Sequence, residues 1–238
     1  MQLRPRFVGR LGLADVVTVA NAALGFTAAA AVLVDPALAA RLILLAAIAD
    51  GLDGVIARVH GSTRVGEYVD SLADVASFSV APAIFVFHVV TDGWNITFSA
   101  LTPATVAAVG IPALFVGAGV VRLGMYTAYD LEERTTQGVQ TTLAATILAT
   151  VYLAGVTQPA VLLGATALFT YLMVTAIEYP ELTERDALAM GVVQFAAVLF
   201  PTAVSRLFPR ALLVGALAYL LLAPGFYWRD GDAEGKRS

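Results

Sequence analysis

The sequence contains no cysteine and only two histidines, His60 and His88. Disulfides, thiolate metal sites, iron–sulfur clusters and cysteine nucleophiles are therefore excluded, and a histidine-built zinc centre lacks its ligands. Charge is also scarce, at 13% of 238 residues, against roughly 25% in an ordinary soluble domain. Lys236 is the sole lysine, and the net charge is −4. With no basic surface to meet a phosphate backbone, nucleic acid is excluded as a partner. What the chain has in excess is apolar surface, with 59% hydrophobic residues and a mean hydropathy of +0.81. A soluble enzyme and a disordered chain are both ruled out by that balance. What remains is an all-α polytopic membrane protein whose polar chemistry must come from carboxylates, arginines and hydroxyls.

A membrane-spanning helix needs about 20 mostly apolar residues. Eight such runs are predicted: Val16–Val34, Leu38–Ala57, Val69–Val90, Thr102–Tyr126, Val139–Ala154, Ala160–Ile177, Ala187–Ser205 and Ala211–Trp228. The fifth and sixth are short, so seven spans are the alternative. Positive charge is retained in the cytoplasm. Arg4, Arg6, Arg10, Arg58, Arg64, Arg122, Arg134, Arg185, Arg229, Lys236 and Arg237 fall on one side, and only Arg41, Arg206 and Arg210 on the other. Both termini are thus expected in the cytoplasm, in a multi-pass protein of the cell membrane surrounded by its lipids. Residues 1–13 form a basic stretch suited to the interface. No small-residue cleavage site follows it, so the first span is expected to be retained. No linker or repeat divides the chain, and one membrane domain is expected.

Asp50, Asp53, Asp70 and Asp74 contradict the apolar pattern. A charge inside a membrane helix costs at least about 2.5–3.5 kcal/mol on insertion scales, which makes each a functional candidate. Spacings of three and four put each pair on one helical face, and the turn Val59–Gly66 folds the two helices antiparallel. Four like charges converging in a low dielectric need a cation. Oxygen ligands alone select a hard ion, Mg²⁺ or Mn²⁺, and four carboxylates suit two of them. Gly51 and Gly54 thin the second helix beside its carboxylates, and Arg58 stands one turn beyond Gly54 to meet a phosphate. Together they describe a pyrophosphate site. The other reading is a set of helix-end aspartates bathed in headgroup water.

The segment Asp50-Gly51-Leu52-Asp53-Gly54-Val55-Ile56-Ala57-Arg58, followed by Gly66, Asp70 and Asp74, resembles the signature of the CDP-alcohol phosphatidyltransferase family, D-x-x-D-G-x-x-A-R, a spacer, then G-x-x-x-D-x-x-x-D. The spacer here, Val59–Val65, is one residue shorter than is usual. The resemblance implies a six-helix core open to the cytoplasm, here with two further C-terminal helices: core 14–178, pair 187–228. It also implies a homodimer and transfer of a phosphoryl group from a CDP-lipid to an alcohol with release of CMP. By the same similarity Asp50, Asp53, Asp70 and Asp74 hold the metals, Asp74 also being the catalytic base. Gly54, Arg58 and Thr63 would contact the CDP-lipid. Relatives begin the first span with P-N-x-x-T, which aligns Thr18 and Asp15 with nucleotide-binding positions, although Asp15 departs from the asparagine.

The flanks, Thr18-Val19-Ala20-Asn21 with Gly25-Phe26, and Asp70-Ser71-Leu72-Ala73-Asp74-Val75-Ala76-Ser77-Phe78, look like the branch that makes phosphatidylserine or archaetidylserine. L-serine is then the expected acceptor. Its carboxylate needs a cation, and Arg122, the sole arginine within the fourth span, is the candidate acceptor-binding residue. A snorkelling arginine at the helix end is the alternative. The same chemistry on glycerol phosphate, inositol phosphate or glycerol is the second functional reading, though phosphorylated acceptors call for more basic groups than this chain offers. An ion-coupled transporter is the third, but the acidic residues crowd toward one face and have no second copy.

Overall fold

A computed structural model describes residues 11–226 apart from 62, 131–134 and 181. The basic stretch 1–10, Arg134, Arg229, Lys236 and Arg237 lie outside the described residues. Eight helices account for most of the rest: α1 (Leu13–Ala31), α2 (Pro36–His60), α3 (Gly66–Gly93), α4 (Pro103–Met125), α5 (Thr141–Leu153), α6 (Pro159–Leu172), α7 (Glu184–Leu199) and α8 (Ala203–Phe226). Their starts carry recognisable signals. Asp35 caps α2 by accepting from the Ala37 N–H at 2.8 Å, with Pro36 in the first turn. Thr102 caps α4 through the Thr105 N–H at 3.1 Å. Each cap satisfies a donor that a helix end leaves orphaned.

Helices α1, α3, α4 and α8 are long and apolar enough to cross a membrane. Helix α2 is 25 residues long, but its charged side chains lower its hydropathy. The apolar α5 and α6 have 13 and 14 residues, short as the sequence suggested. Phe26, Leu114 and Leu221 are all strongly exposed, the pattern of helices facing hydrocarbon rather than water. The protein is a membrane-embedded helical bundle. One small departure from all-α character is an antiparallel ribbon, β1 (Thr135–Gln137) with β2 (Glu178–Pro180), pairing Thr136 with Tyr179.

Most boundaries differ from the sequence reading by a few residues. Helix α8 starts at Ala203 rather than Ala211, and α6 ends at Leu172 rather than Ile177. Three others have a clear local reason. Helix α2 continues past Ala57 to His60 and stops at Gly61, whose φ of +88° suits glycine. Helix α3 starts at Gly66 rather than Val69, so the connection shrinks to 61–65. Helix α7 stops at Leu199 rather than Ser205. Phe200 leaves helical geometry at φ −126°, ψ 57°, as the residue before Pro201 is driven to do.

Arg41, Arg206 and Arg210 have a structural role that accounts for their positions. Arg41 donates to the Val198 carbonyl at 2.7 Å and Arg206 to the Leu153 carbonyl at 2.9 Å, with Arg210 near the Ala154 carbonyl at 3.5 Å. All three target carbonyls lie at the C-terminal ends of α5 and α7, where no intrahelical donor remains. These arginines cap helices.

Candidate active site

Two helices carry the four aspartates, and a third orders one of them. Helix α1 packs along α2 and against α3. Gly25 is the contact point: a Cβ there would lie 2.7 Å from Ser77 Cα, so no larger residue fits. One turn back, the Ser77 hydroxyl donates to the Asn21 carbonyl at 2.8 Å. The Asn21 carboxamide is itself buried and finds no hydrogen-bond partner among the described residues. Asn21, Gly25 and Ser77, noticed in the sequence as branch markers, thus form one helix crossing.

Beside that crossing, one carboxylate oxygen from each of Asp50, Asp70 and Asp74 lies within 4.8 Å of the others. Asp74 is buried, and its Oδ1 has no hydrogen-bond partner among the described residues. Asp53 is also buried, held by the Thr18 hydroxyl, which donates to its Oδ2 at 2.7 Å. One turn from Asp50 on the same helix, it borders the cluster without joining its tightest group. The predicted set of four therefore resolves into three converging carboxylates and a fourth oriented from α1.

The donor set fits a hard divalent cation. It is all oxygen, it comes from two rigid helices, and it includes a buried carboxylate oxygen with an unused lone pair. Clustered anions with that geometry are costly without a compensating charge.

A π-helical segment, Val75–Val80, begins immediately after Asp74. Pro82 explains it: proline lacks the N–H that would reach the Phe78 carbonyl, and its ring crowds that oxygen, so the preceding turn widens. The widened turn brings Ser77 and Ser79 into the helix packing, where a Cβ on Gly119 would collide with Ser79 Oγ.

The remaining predicted residues divide into two places. Asp15 and Thr63 meet: the Thr63 hydroxyl donates to Asp15 Oδ2 at 2.8 Å, and the same oxygen accepts the Gly12 N–H at 2.7 Å. Asp15 therefore both caps α1 and ties down the α2–α3 connection. Gly54 and the exposed Arg58 open instead onto a large cleft between α2, α5, α7 and α8. Arg122 is buried on α4, where it donates to the Thr136 hydroxyl at 3.0 Å and sits 5.7 Å from the Tyr126 ring centre. Its contacts bind the end of α4 to the ribbon. Sequence reasoning missed Thr142, which faces the same cleft as Gly54 and Arg58 from α5.

Residues 11–178 match the family described as CDP-alcohol phosphatidyltransferase. The chain is similar to the archaetidylserine synthase of Methanothermobacter thermautotrophicus, with 29% identity over 182 residues, 74% of this chain and 73% of that protein. It is also similar to the CDP-diacylglycerol–serine O-phosphatidyltransferase of Mycobacterium leprae, with 53% identity over 53 residues, 22% of this chain and 18% of that protein. The Helicobacter pylori protein of the same description is 38% identical over 90 residues, 37% of this chain and 34% of that one. Thus the matches span most of the archaeal relative and about a third or less of these bacterial ones.

Proposed function

The chain belongs to the CDP-alcohol phosphatidyltransferase family, and on that premise we propose that it transfers a phosphatidyl or archaetidyl group from a CDP-lipid to the hydroxyl of L-serine, releasing CMP. It does so as a multi-pass homodimer of the cytoplasmic membrane, each chain one domain with its active site facing the cytoplasm. The observation that carries the reading is the convergence of Asp50, Asp70 and Asp74 on one point beside a cleft lined by Gly54 and Arg58. The names of the archaeal and bacterial relatives support serine as acceptor.

Asp50, Asp70 and Asp74, with Asp53 alongside, would hold Mg²⁺ or Mn²⁺. When bound, these ions supply charge neutralisation for the diphosphate and the departing CMP. The chain's own residues do the rest. Thr18 fixes the Asp53 carboxylate. Arg58 pairs with the donor diphosphate where Gly51 and Gly54 leave the helix surface bare. Thr63, whose proton is committed to Asp15, keeps its oxygen as an acceptor for the cytosine amine.

Arg122 takes the serine carboxylate. The serine oxygen then attacks the lipid-bearing phosphorus, and Asp74 Oδ1 takes the hydroxyl proton as that bond forms. The phosphorus–oxygen bond to CMP breaks in line, and CMP leaves with the electron pair.

An acceptor panel tests the assignment. Purified protein with Mg²⁺ and labelled CDP-lipid is offered L-serine, glycerol phosphate, inositol phosphate and glycerol, and the lipid product is identified by mass. A serine-headed lipid is expected. A glycerol- or inositol-headed product in its place overturns serine as the acceptor.

A further inference from the structure

We propose that the C-terminal pair α7–α8 is the second wall of a slot for the hydrocarbon chain of the CDP-lipid, and so sets which chains the donor can carry. This rests on the donor assigned above. The pair lies beyond residues 11–178, the part that matches the family.

The register of the pair is fixed at two points. Gln194 donates to the Leu44 carbonyl at 2.8 Å and Arg41 to the Val198 carbonyl at 2.7 Å. Rising residue numbers on α2 meet falling numbers on α7, so the two helices run antiparallel. The start of α7 therefore lies toward the catalytic end of α2, with Asp186 in its first turn. Helix α8 leaves the Leu153 end of α5, where Arg206 is anchored, and returns toward the catalytic end.

Between these helices lies a cleft of about 1660 Å³. Ordinary small-molecule sites occupy roughly 300–1,000 Å³, so this one has space for more than a nucleotide headgroup. Its charged residues, Arg58 and Asp186, lie at the catalytic end with Gln140 and Thr142, while of the other hydroxyls on its wall, Thr146 and Tyr219, the latter donates to the Pro180 carbonyl. The opposite end is lined by Ala47, Ile48 and Phe195, with Gly215 against Met190 midway along. Gln194 also lines that end, but its amide is engaged by the Leu44 carbonyl.

From Ala47 to Arg58 the α2 wall runs about 16 Å at about 1.5 Å per residue. A cleft of that length, charged at its mouth and apolar beyond, matches an amphiphile with a diphosphate head and a hydrocarbon chain. The slot is continuous with the candidate active site. Gly51, Gly54 and Arg58 line it from the same stretch of α2 that carries Asp50 and Asp53, and Thr142 lines it from α5.

The wall can be tested without relying on turnover. A Cβ on Gly191 meets no atom within 4 Å, and Gly191 and Ala218 both line the slot. Gly191→Phe and Ala218→Trp would therefore fill it from α7 and α8 separately, so that one variant remains if the other fails to fold. Leu221→Trp, on an exposed position outside the cleft lining, is the control.

A CDP-lipid with a diazirine near the end of its chain is photolysed with the protein in phosphatidylcholine vesicles. Adducts on α7 and α8 peptides are expected in the parent and the control, and their loss in the two filled variants. For the filled variants, KM should rise at least about tenfold with a long-chain CDP-lipid, as expected from unburying two or more methylenes. It should stay unchanged with a CDP-lipid of four-carbon chains.

Parent adducts confined to α1, α3 or α4, or cross-links to a second copy in place of probe adducts, overturn the proposal. So does an equal KM change for both chain lengths. A parent that makes no serine lipid overturns the assigned reaction instead, and the adduct map still reads the slot.

Discussion

The hydroxyl of Thr18, on the first helix, donates to the Asp53 carboxylate on the second at 2.7 Å, across 35 positions of sequence. It is the link through which α1 orients the acidic centre. Thr18→Val keeps the shape and removes the donor. Loss of a hydrogen bond to a charged group costs about 1.5–3 kcal/mol, so turnover should fall roughly tenfold or more. Steady-state rates, with circular dichroism to verify folding, would check this. A Thr18→Val enzyme with the parent's rate would show that the link does not serve the reaction.

Turnover should depend fully on a divalent cation. An all-oxygen set from Asp50, Asp70 and Asp74 predicts that Mg²⁺ or Mn²⁺ supports activity and that excess chelator abolishes it. Asp50→Asn and Asp70→Asn should each remove nearly all activity while the protein still folds, because both relieve crowded negative charge. Full activity in chelator would contradict the metal reading.

The crossing at Gly25 predicts a stability effect separable from chemistry. With Ser77 Cα 2.7 Å from the Cβ position, Gly25→Ala forces the helices apart, and overpacking of this kind costs typically about 1–3 kcal/mol. Its thermal midpoint in detergent should drop. Gly117→Ala on α4, where a Cβ meets no atom within 4 Å, should match or exceed the parent, since alanine favours helix. Equal midpoints for the two variants would refute the close approach.

Arg122 gives a prediction about substrates. If its guanidinium receives the serine carboxylate, Arg122→Ala should raise the KM for serine about tenfold or more and leave the KM for CDP-lipid nearly unchanged. Equal effects on both would leave Arg122 a structural tie between α4 and the ribbon, as its contact with Thr136 also allows.

Much of this was legible in the sequence. Aspartates at helical spacing inside apolar runs have few bland explanations, and the structure brings three of them together. The short fifth and sixth helices were also visible, because length and hydropathy are local properties. Less visible were features set by contacts between distant segments. Asp15 read as a substitution at a nucleotide-binding position, yet its carboxylate is engaged by Gly12 and Thr63. Arg41, Arg206 and Arg210 read as exceptions to the charge bias, yet they cap carbonyls on helices far away in sequence. The cleft facing α7 and α8 had no sequence mark, because its lining is ordinary membrane-helix composition. Only the folded arrangement makes it a cavity.

The most direct test of the catalytic centre compares the parent with Asp74→Asn, measuring CMP and serine lipid in the same reaction. Asp74 Oδ1 is buried and has no hydrogen-bond partner among the described residues, which suits a group that takes the acceptor's proton. The parent should produce CMP and serine lipid in equal amounts, and only when L-serine and Mg²⁺ are both present. Asp74→Asn should bind CDP-lipid within a few fold of the parent in Mg²⁺, while both products fall together by the roughly 10²–10⁴-fold typical of a lost general base. CMP release by the parent without serine lipid, or an Asp74→Asn enzyme turning over within about tenfold of the parent, would contradict the account.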